Sequence, residues 1–239
     1  MPTGPPGARV HLARSLVGRT GDDVDMTTPA QLYALCAAAH GSFPPPRRET
    51  ETGRGLAGAM LLQGVLAGRL DLSGDRVRPT GRGRRGDPVL DAFLARVEAS
   101  ARDREPSDWV ERLGPAALAS SSSSSSSCSA SAASSSRPVL LPGGAGPPAG
   151  LRPPEALRRV RRSVGDPDRS VRHAVAAGAL IAASGLHDLC WPDLSRREAT
   201  RHTLRAVAAL GPAGLPAARA ATAVSRSLSG STGALAFHG

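Results

Sequence analysis

The sequence contains no lysine, since all 30 of its basic residues are arginine. Together with 27 glycines and 21 prolines, this is typical of a GC-rich genome, so arginine content alone carries little functional information. Aromatic residues make up only 3 % of the chain, against 40 % for all hydrophobic residues. This predicts thin, closely packed helices, and it disfavours a protein that stacks nucleic-acid bases on aromatic rings.

Disulfides, membrane spans and targeting signals are also missing. The three cysteines are odd in number and scattered, which argues against a disulfide framework and for a reducing compartment. No apolar run reaches the length of a membrane span. Neither a signal peptide nor a lipidation motif opens the chain. We therefore expect a cytoplasmic protein whose membrane contacts, if any, are peripheral.

Motifs of catalysis are absent as well: there is no G-x-S-x-G, no H-E-x-x-H and no phosphate loop ending in Lys-Ser/Thr. Residues 81–86 match G-x-G-x-x-G literally. They follow a tight hairpin, however, and three arginines fill positions where a pyrophosphate needs close backbone approach. We expect no enzyme activity, no cofactor and no metal site.

Composition divides the chain into four parts. Residues 1–25 show no sustained hydrophobic periodicity, which predicts a disordered extension. Met26 and the residues after it are typical of the natural start of a protein. Residues 119–150 contain eight consecutive serines and then Ala, Pro and Gly in bulk, which predicts a low-complexity linker. Residues 26–118 and 151–239 are expected to be the two helical parts of one mainly α domain. That domain would carry one or two short β-hairpins and be interrupted by the Ser/Pro/Gly-rich linker.

Apolar periodicity and capping residues predict the individual elements. Residues 55–68 are the most apolar block that leads into a predicted strand. One face of this block carries large apolar residues, namely Leu56, Met60, Leu61, Val65 and Leu66, and the other faces carry glycine or alanine. It is expected to be a central, buried helix entered from a proline-broken, charged loop. The other predicted elements are a helix capped by Thr28 and ending at Gly41; a hairpin of 70–72 with 76–78; helices opened by Asp87, Ser107, Pro154, Asp168 and Ser195; and a last helix over 215–228. The helix opened by Ser107 should end at Gly114, with Trp109 in the core.

Positive charge is concentrated in the last part, where residues 151–239 hold 13 arginines and 6 acidic residues. Four of these arginines fall within residues 158–162, with Leu157, Val160 and Val164 between and beside them. This spacing lets two or three guanidinium groups face one anionic plane while the apolar residues pack inward. The partner could be an anionic membrane, nucleic acid or a phosphorylated ligand. A solvated helix face without a ligand is the alternative.

Several segments, in order, resemble the Golgi phosphoprotein 3 family, in particular its actinobacterial members. They are residues 55–62, 66–70, 86–91, 108–110, 165–168 and 193–199. The resemblance implies a mostly helical domain that binds phosphatidylinositol 4-phosphate headgroups peripherally at membranes and, in eukaryotes, holds glycosyltransferases in the Golgi. It implies neither enzyme activity nor a metal.

The chain departs from the family pattern at two lipid-contacting positions. The loop before the central helix has no tryptophan, and Ala57 stands where the family has an arginine. The serine-rich segment lies about where the family has a basic helix and a self-association hairpin; it could replace or interrupt them, and the helix around 158–162 could correspond to the basic helix or to the one after the hairpin.

We predict a peripheral adaptor that binds anionic phospholipid headgroups, by resemblance phosphatidylinositol 4-phosphate. A protein partner is also possible, and no nucleic acid is expected. The alternatives are a nucleic-acid-binding or protein-binding helical module, and a degenerate family member without a ligand. The candidate headgroup-binding residues are Arg47, Arg48, Arg54, Arg158, Arg159, Arg161 and Arg162.

Overall fold

The computed structural model describes residues 28–39, 43–45, 47–82, 87–100, 102–123, 152–166 and 172–229. Over these residues the chain is mainly helical, as predicted, with nine α-helices and one two-stranded antiparallel sheet. The predicted extension 1–25 lies outside the described residues. The elements are α1 Pro29–Ala37, α2 Glu49–Leu66, β1 Leu70–Asp71, β2 Arg78–Pro79, α3 Pro88–Glu98, α4 Pro106–Ser123, α5 Pro153–Gly165, α6 Arg172–Ala183, α7 His187–Cys190, α8 Arg196–Ala209 and α9 Leu215–Ser229, with a 3-10 turn Gly211–Gly214 before α9.

Local capping chemistry sets three helix starts where the sequence predicts them. The Thr28 hydroxyl accepts a hydrogen bond from the Gln31 amide, which begins α1. The Asp87 carboxylate accepts from the amides of Val89 and Leu90 at the start of α3. Ser195 and Glu198 form a reciprocal capping box at the start of α8. Each cap satisfies amide groups that the helix itself leaves unpaired.

Helix α2 is the centre of the fold, but it begins earlier than predicted, at Glu49 instead of Gly55. The charged residues 49–54 belong to its first turns and not to the preceding loop, because residues 47–54 contain no proline and because Glu49 and Glu51 favour a helix N-terminus. Twelve of its residues between Thr52 and Gly64 are buried. The prediction of a central, buried helix is confirmed.

Glycines of α2 permit this burial because three other helices approach them closely. A Cβ at Gly53 would lie 2.8 Å from the carbonyl oxygen of Gly114 in α4. A Cβ at Gly55 would overlap the phenol ring of Tyr33 in α1, and one at Gly58 would lie under 3.0 Å from Val224 in α9. The small faces predicted from sequence are therefore contact faces toward α4, α1 and α9.

Helix α4 does not end at Gly114 as predicted; it continues through Gly114 and Pro115 to Ser123. Gly114 serves close packing against α2, since its own Cβ would lie 3.2 Å from the amide nitrogen of Arg54. The helix thus enters the segment 119–150 predicted as linker, and residues 124–150 of that segment lie outside the described residues. Trp109 is 5 % exposed, which confirms its predicted place in the core.

The C-terminal helices complete the same hydrophobic core as α1–α4. Helix α6 is buried from Ala174 to Ala183 and packs on α1, α2, α5, α8 and α9. It begins at Arg172; its predicted start at Asp168 lies outside the described residues. Helix α9 matches its predicted range and packs on α2 and α4. Helices from both sides of residues 124–151 therefore share one core.

A hairpin is present where one is predicted, but its second strand is Arg78–Pro79 and not 76–78, and an arginine ties it to α3. Strand β1 pairs antiparallel with β2, with Leu70 opposite Pro79. Arg69, only 3 % exposed, donates hydrogen bonds to Asp91 and Glu98 of α3. The ion pairs fix the hairpin on the α3 side of α2.

Candidate functional site

Helix α5 has a buried apolar face and an exposed charged face, as its sequence pattern predicts. Leu157, Val160 and Val164 are buried, whereas Arg158 and Arg162 are exposed one turn apart. The helix begins after Arg152, with Pro153 in its first turn, and the Glu155 carboxylate accepts a hydrogen bond from the Arg152 amide. An amphipathic helix of this kind places its guanidinium groups in water above an apolar contact face.

Arg159 and Arg161 lie at the two flanks of this exposed face. Arg159 is partly buried, and burial, with a smaller contribution from the charge of Arg162, lowers the pKa of its guanidinium below the ordinary value. Arg161 is exposed, but its Nε donates a hydrogen bond to the carbonyl oxygen of Cys190. Arg158 Nε donates to the carbonyl oxygen of Pro154, one turn earlier in the same helix, at 3.4 Å, so Arg158 stays on the exposed face of α5 beside Arg162.

Two predicted arginines from distant parts of the sequence contact the same short segment, residues 185–190. Arg48 Nη1 donates to the carbonyl oxygen of Gly185 at 3.1 Å, and its Nη2 forms a 3.1 Å ion pair with Asp188 Oδ2. Arg161 holds the other end of the segment at Cys190. This segment, which contains α7, therefore lies between the loop before α2 and helix α5, on one side of the molecule.

Arg47 stands next to Arg48 at the end of the proline-rich loop. Its φ of 61° lies in the left-handed region, which is uncommon for a residue with a side chain. The residue is exposed, and this backbone turn leads directly into α2. Arg47 thus adds a solvent-facing charge beside Arg48, whose own charge is partly offset by Asp188.

Arg54 does not join these residues. Its side chain is 14 % exposed, donates to the carbonyl oxygen of Ser227 and forms a 3.2 Å ion pair with Glu111. It sits within α2 and not in the loop where the sequence analysis placed it, and it points toward α4 and α9. The structure gives Arg54 contacts that join three helices.

Ala57, which the resemblance matches to a headgroup-contacting arginine, is fully buried at 0 % exposed. It lies between Gly55 and Gly58, which contact α1 and α9. A long charged side chain has no room in such a position without displacing neighbouring helices. Any headgroup contact by this chain must use other residues.

Helix α8 carries a row of arginines that the sequence analysis did not select. Arg197, Arg201 and Arg205 are exposed at intervals of four residues, so they share one face of the helix. The only acidic residue of α8, Glu198, is held by Ser195, whose hydrogen bonds lower the pKa of its carboxyl group. The interval of four residues is the sequence signal of this row, although the row is less dense than the cluster at 158–162.

Acidic residues concentrate elsewhere, on α3, α4 and the loop between them. Over the described residues 87–119, seven acidic side chains stand against four arginines. Helix α3 packs on α2 and α4, whereas α5 packs on α1, α6, α7 and α8. The described part of the chain therefore has a basic region around α5 and α8 and an acid-rich region around α3 and α4.

The sequence model of one family, Golgi phosphoprotein 3 (GPP34), matches residues 29–227. No match was found when the chain was compared with curated proteins or with solved structures. In the part of the chain that the structure describes, none of the helices combines the length and apolar character needed to span a membrane.

Proposed function

Since the chain belongs to the Golgi phosphoprotein 3 family, we propose that it is a non-enzymatic, cytoplasmic adaptor that binds anionic phospholipid headgroups at a membrane surface. By resemblance to the family, the preferred headgroup is phosphatidylinositol 4-phosphate. The observation that supports this most is the group of surface arginines, exposed except for the half-buried Arg48, on both sides of residues 185–190. Arg47 and Arg48 lie on one side, and Arg158, Arg161 and Arg162 lie on the other.

Arginine suits this role because its planar guanidinium donates paired hydrogen bonds to phosphate oxygens. Arg158 and Arg162 are one helical turn apart, so their side chains begin about 5–6 Å from each other. Two phosphate oxygens of one headgroup, or two neighbouring headgroups, can be bound by such a pair. Arg47 provides a third exposed cation, while Arg48 and Arg161 hold the segment between them in place.

Vesicle co-sedimentation of the full chain tests the proposal. We expect binding to phosphatidylcholine vesicles that contain phosphatidylserine or phosphatidylinositol 4-phosphate, and none to phosphatidylcholine alone. At equal total charge, stronger binding to the second lipid would support the headgroup assignment. Equal binding to the two lipids would support general recognition of anionic membranes and would overturn specific recognition of phosphatidylinositol 4-phosphate.

A matched pair of variants locates the contact. The double substitution Arg158→Glu and Arg162→Glu should abolish binding, whereas Arg96→Glu with Arg112→Glu, exposed residues on the acid-rich side, should not. Each arginine near an anionic surface contributes about 1 kcal/mol, so reversing two charges should weaken binding more than roughly 30-fold. Absence of wild-type binding at low salt, or displacement from vesicles by duplex DNA at matched phosphate, would refute the proposal.

A further inference from the structure

The outer face of α8 is a second exposed basic surface. Ala199, Thr203, Ala206 and Val207 are buried, which leaves Arg197, Arg201, Leu204 and Arg205 on the solvent side. The row from residue 197 to 205 is about 12 Å long at the rise of an α-helix. Leu204, 40 % exposed, lies within this row.

This surface adjoins the one on α5. Helices α5 and α8 contact each other, and both pack on the buried helix α6. Two helices that contact each other on one buried helix lie side by side, so their exposed faces adjoin at the surface of the molecule. Together with its N-cap, α5 has five arginines and one acidic residue, and α8 has four arginines and one acidic residue.

We infer that the outer face of α8 lies against the anionic membrane together with α5, so that the bilayer contacts two helices and not a single headgroup pocket. This inference rests on the proposed function. The row of arginines is extended and lies on the convex face of a helix, which fits an extended anionic surface better than a small soluble phosphate. An apolar side chain among arginines is also the pattern of interfacial helices, where arginines bind phosphates and the leucine reaches the acyl boundary.

Charge separation within the chain supports the same orientation. Four of the seven acidic residues in the acid-rich region are paired with Arg54, Arg69 or Arg78, so an anionic surface attracts this region less than it attracts α5 and α8, whose arginines outnumber their acidic residues. The protein should therefore approach the membrane with α5 and α8 first. Exposed charges act over about 8–10 Å at physiological ionic strength. Both helices must therefore come close to the headgroups for their arginines to be attracted to the membrane.

Co-sedimentation with phosphatidylcholine/phosphatidylserine vesicles tests the contribution of α8. Replacement of Arg197, Arg201 and Arg205 by Glu should weaken binding by more than roughly a hundredfold, on the basis of about fivefold for each arginine near an anionic surface. Replacement by Gln should weaken it less, and replacement by Lys should preserve it. The Gln variant also covers the case in which the Glu variant does not fold, and circular dichroism checks the helix content of each.

The matched control is Arg96→Glu, Arg102→Glu and Arg112→Glu, which changes the net charge equally on the acid-rich side. If both triple variants weaken binding equally, only net charge matters and the inference is wrong. If the wild type binds, the α5 variant does not, and the α8 variants bind like the wild type, the inference fails while the proposed function stands. If the wild type does not bind at all, the proposed function itself fails.

A tryptophan placed on α8 gives an independent measure of proximity. In Leu204→Trp, vesicles with brominated acyl chains should quench fluorescence beyond the loss seen for the wild type, which already has Trp109 and Trp191. Ala92→Trp, exposed on α3, should show no added quenching. Equal quenching at both positions, or none at position 204, would overturn the proposed orientation.

Discussion

The crossing of α2 and α9 offers the sharpest test of how the chain packs, because it joins helices from both sides of residues 124–151. A Cβ at Gly58 would lie under 3.0 Å from Val224 Cγ2, whereas the next neighbours, Leu180 Cδ2 and the Ala220 carbonyl oxygen, would be 3.3 and 3.7 Å away. Val224 is fully buried at 0 % exposed. One methyl group of Val224 therefore occupies the space that an alanine at position 58 needs.

The two single substitutions should each destabilise the protein. Gly58→Ala forces overpacking against a fully buried side chain, which costs about 2–3 kcal/mol, offset by about 1 kcal/mol of better helix propensity. Val224→Ala removes two buried methyl groups, about 0.8 kcal/mol each, and leaves a small cavity, for a total of about 2 kcal/mol. If the two sites were independent, the double variant would lose about 3–4 kcal/mol of its free energy of unfolding.

The double variant should lose only about 1–2 kcal/mol, because the alanine methyl fills space that Val224 vacates and the remaining contacts are near ordinary distances. The coupling free energy is then about 2 kcal/mol. Urea unfolding followed by circular dichroism measures all four proteins. Gly58→Ala combined with Val207→Ala, a buried site on α8, is the control and should be additive.

Two results would refute this reasoning. The first is additivity of Gly58→Ala and Val224→Ala within about 0.5 kcal/mol, the usual range for independent sites. The second is a Gly58→Ala variant as stable as the wild type. Either result would mean that α2 and α9 do not approach each other at this glycine.

Three further predictions concern local interactions. Arg69→Met should lower the free energy of unfolding by about 3 kcal/mol, the low end for breaking a buried ion pair, because Asp91 and Glu98 are each 31 % exposed; a loss under about 1 kcal/mol in urea unfolding would contradict it. Hydrogen bonds from Ser195 hold the pKa of Glu198 below its ordinary value, so this interaction is present at neutral pH and is lost as pH falls through the lowered pKa. Ser195→Ala should raise that pKa in an NMR titration, and an unchanged titration would be the contrary result. Vesicle binding should weaken steeply as salt rises and the Debye length falls below about 8 Å; binding that is insensitive to salt would argue against arginine contacts.

Much of the fold follows from local sequence signals. Thr28, Asp87 and Ser195 begin helices because a side-chain oxygen next to a free helix amide is a local interaction. Errors occurred where distant contacts override such signals. Gly114 resembles a helix end, but it lies inside α4 because the backbone of α2 packs against it. A glycine that permits close approach and a glycine that ends a helix look the same in sequence.

In the candidate site, too, local sequence signals predict some features and distant contacts decide others. The α5 arginines face outward and Leu157, Val160 and Val164 face inward, as the helical period predicts. Arg54 and Arg48 are six residues apart, yet one joins α2 to α4 and α9 while the other contacts residues 185–190. Neither partner can be deduced from the sequence around these arginines, since each lies more than 50 residues away.

The sequence by itself determined that this chain is helical, where most helices begin, and which face of α5 is charged, because capping and amphipathic periodicity act within a few residues. Only the tertiary structure decided which arginines share a surface. Packing of α5 and α8 on α6 and the contacts of residues 185–190 bring separate segments together, through interactions whose partners are set by the shape of the whole core. The same packing buried Ala57 and engaged Arg54, and it left Arg47 and the arginines on the outer faces of α5 and α8 exposed to solvent.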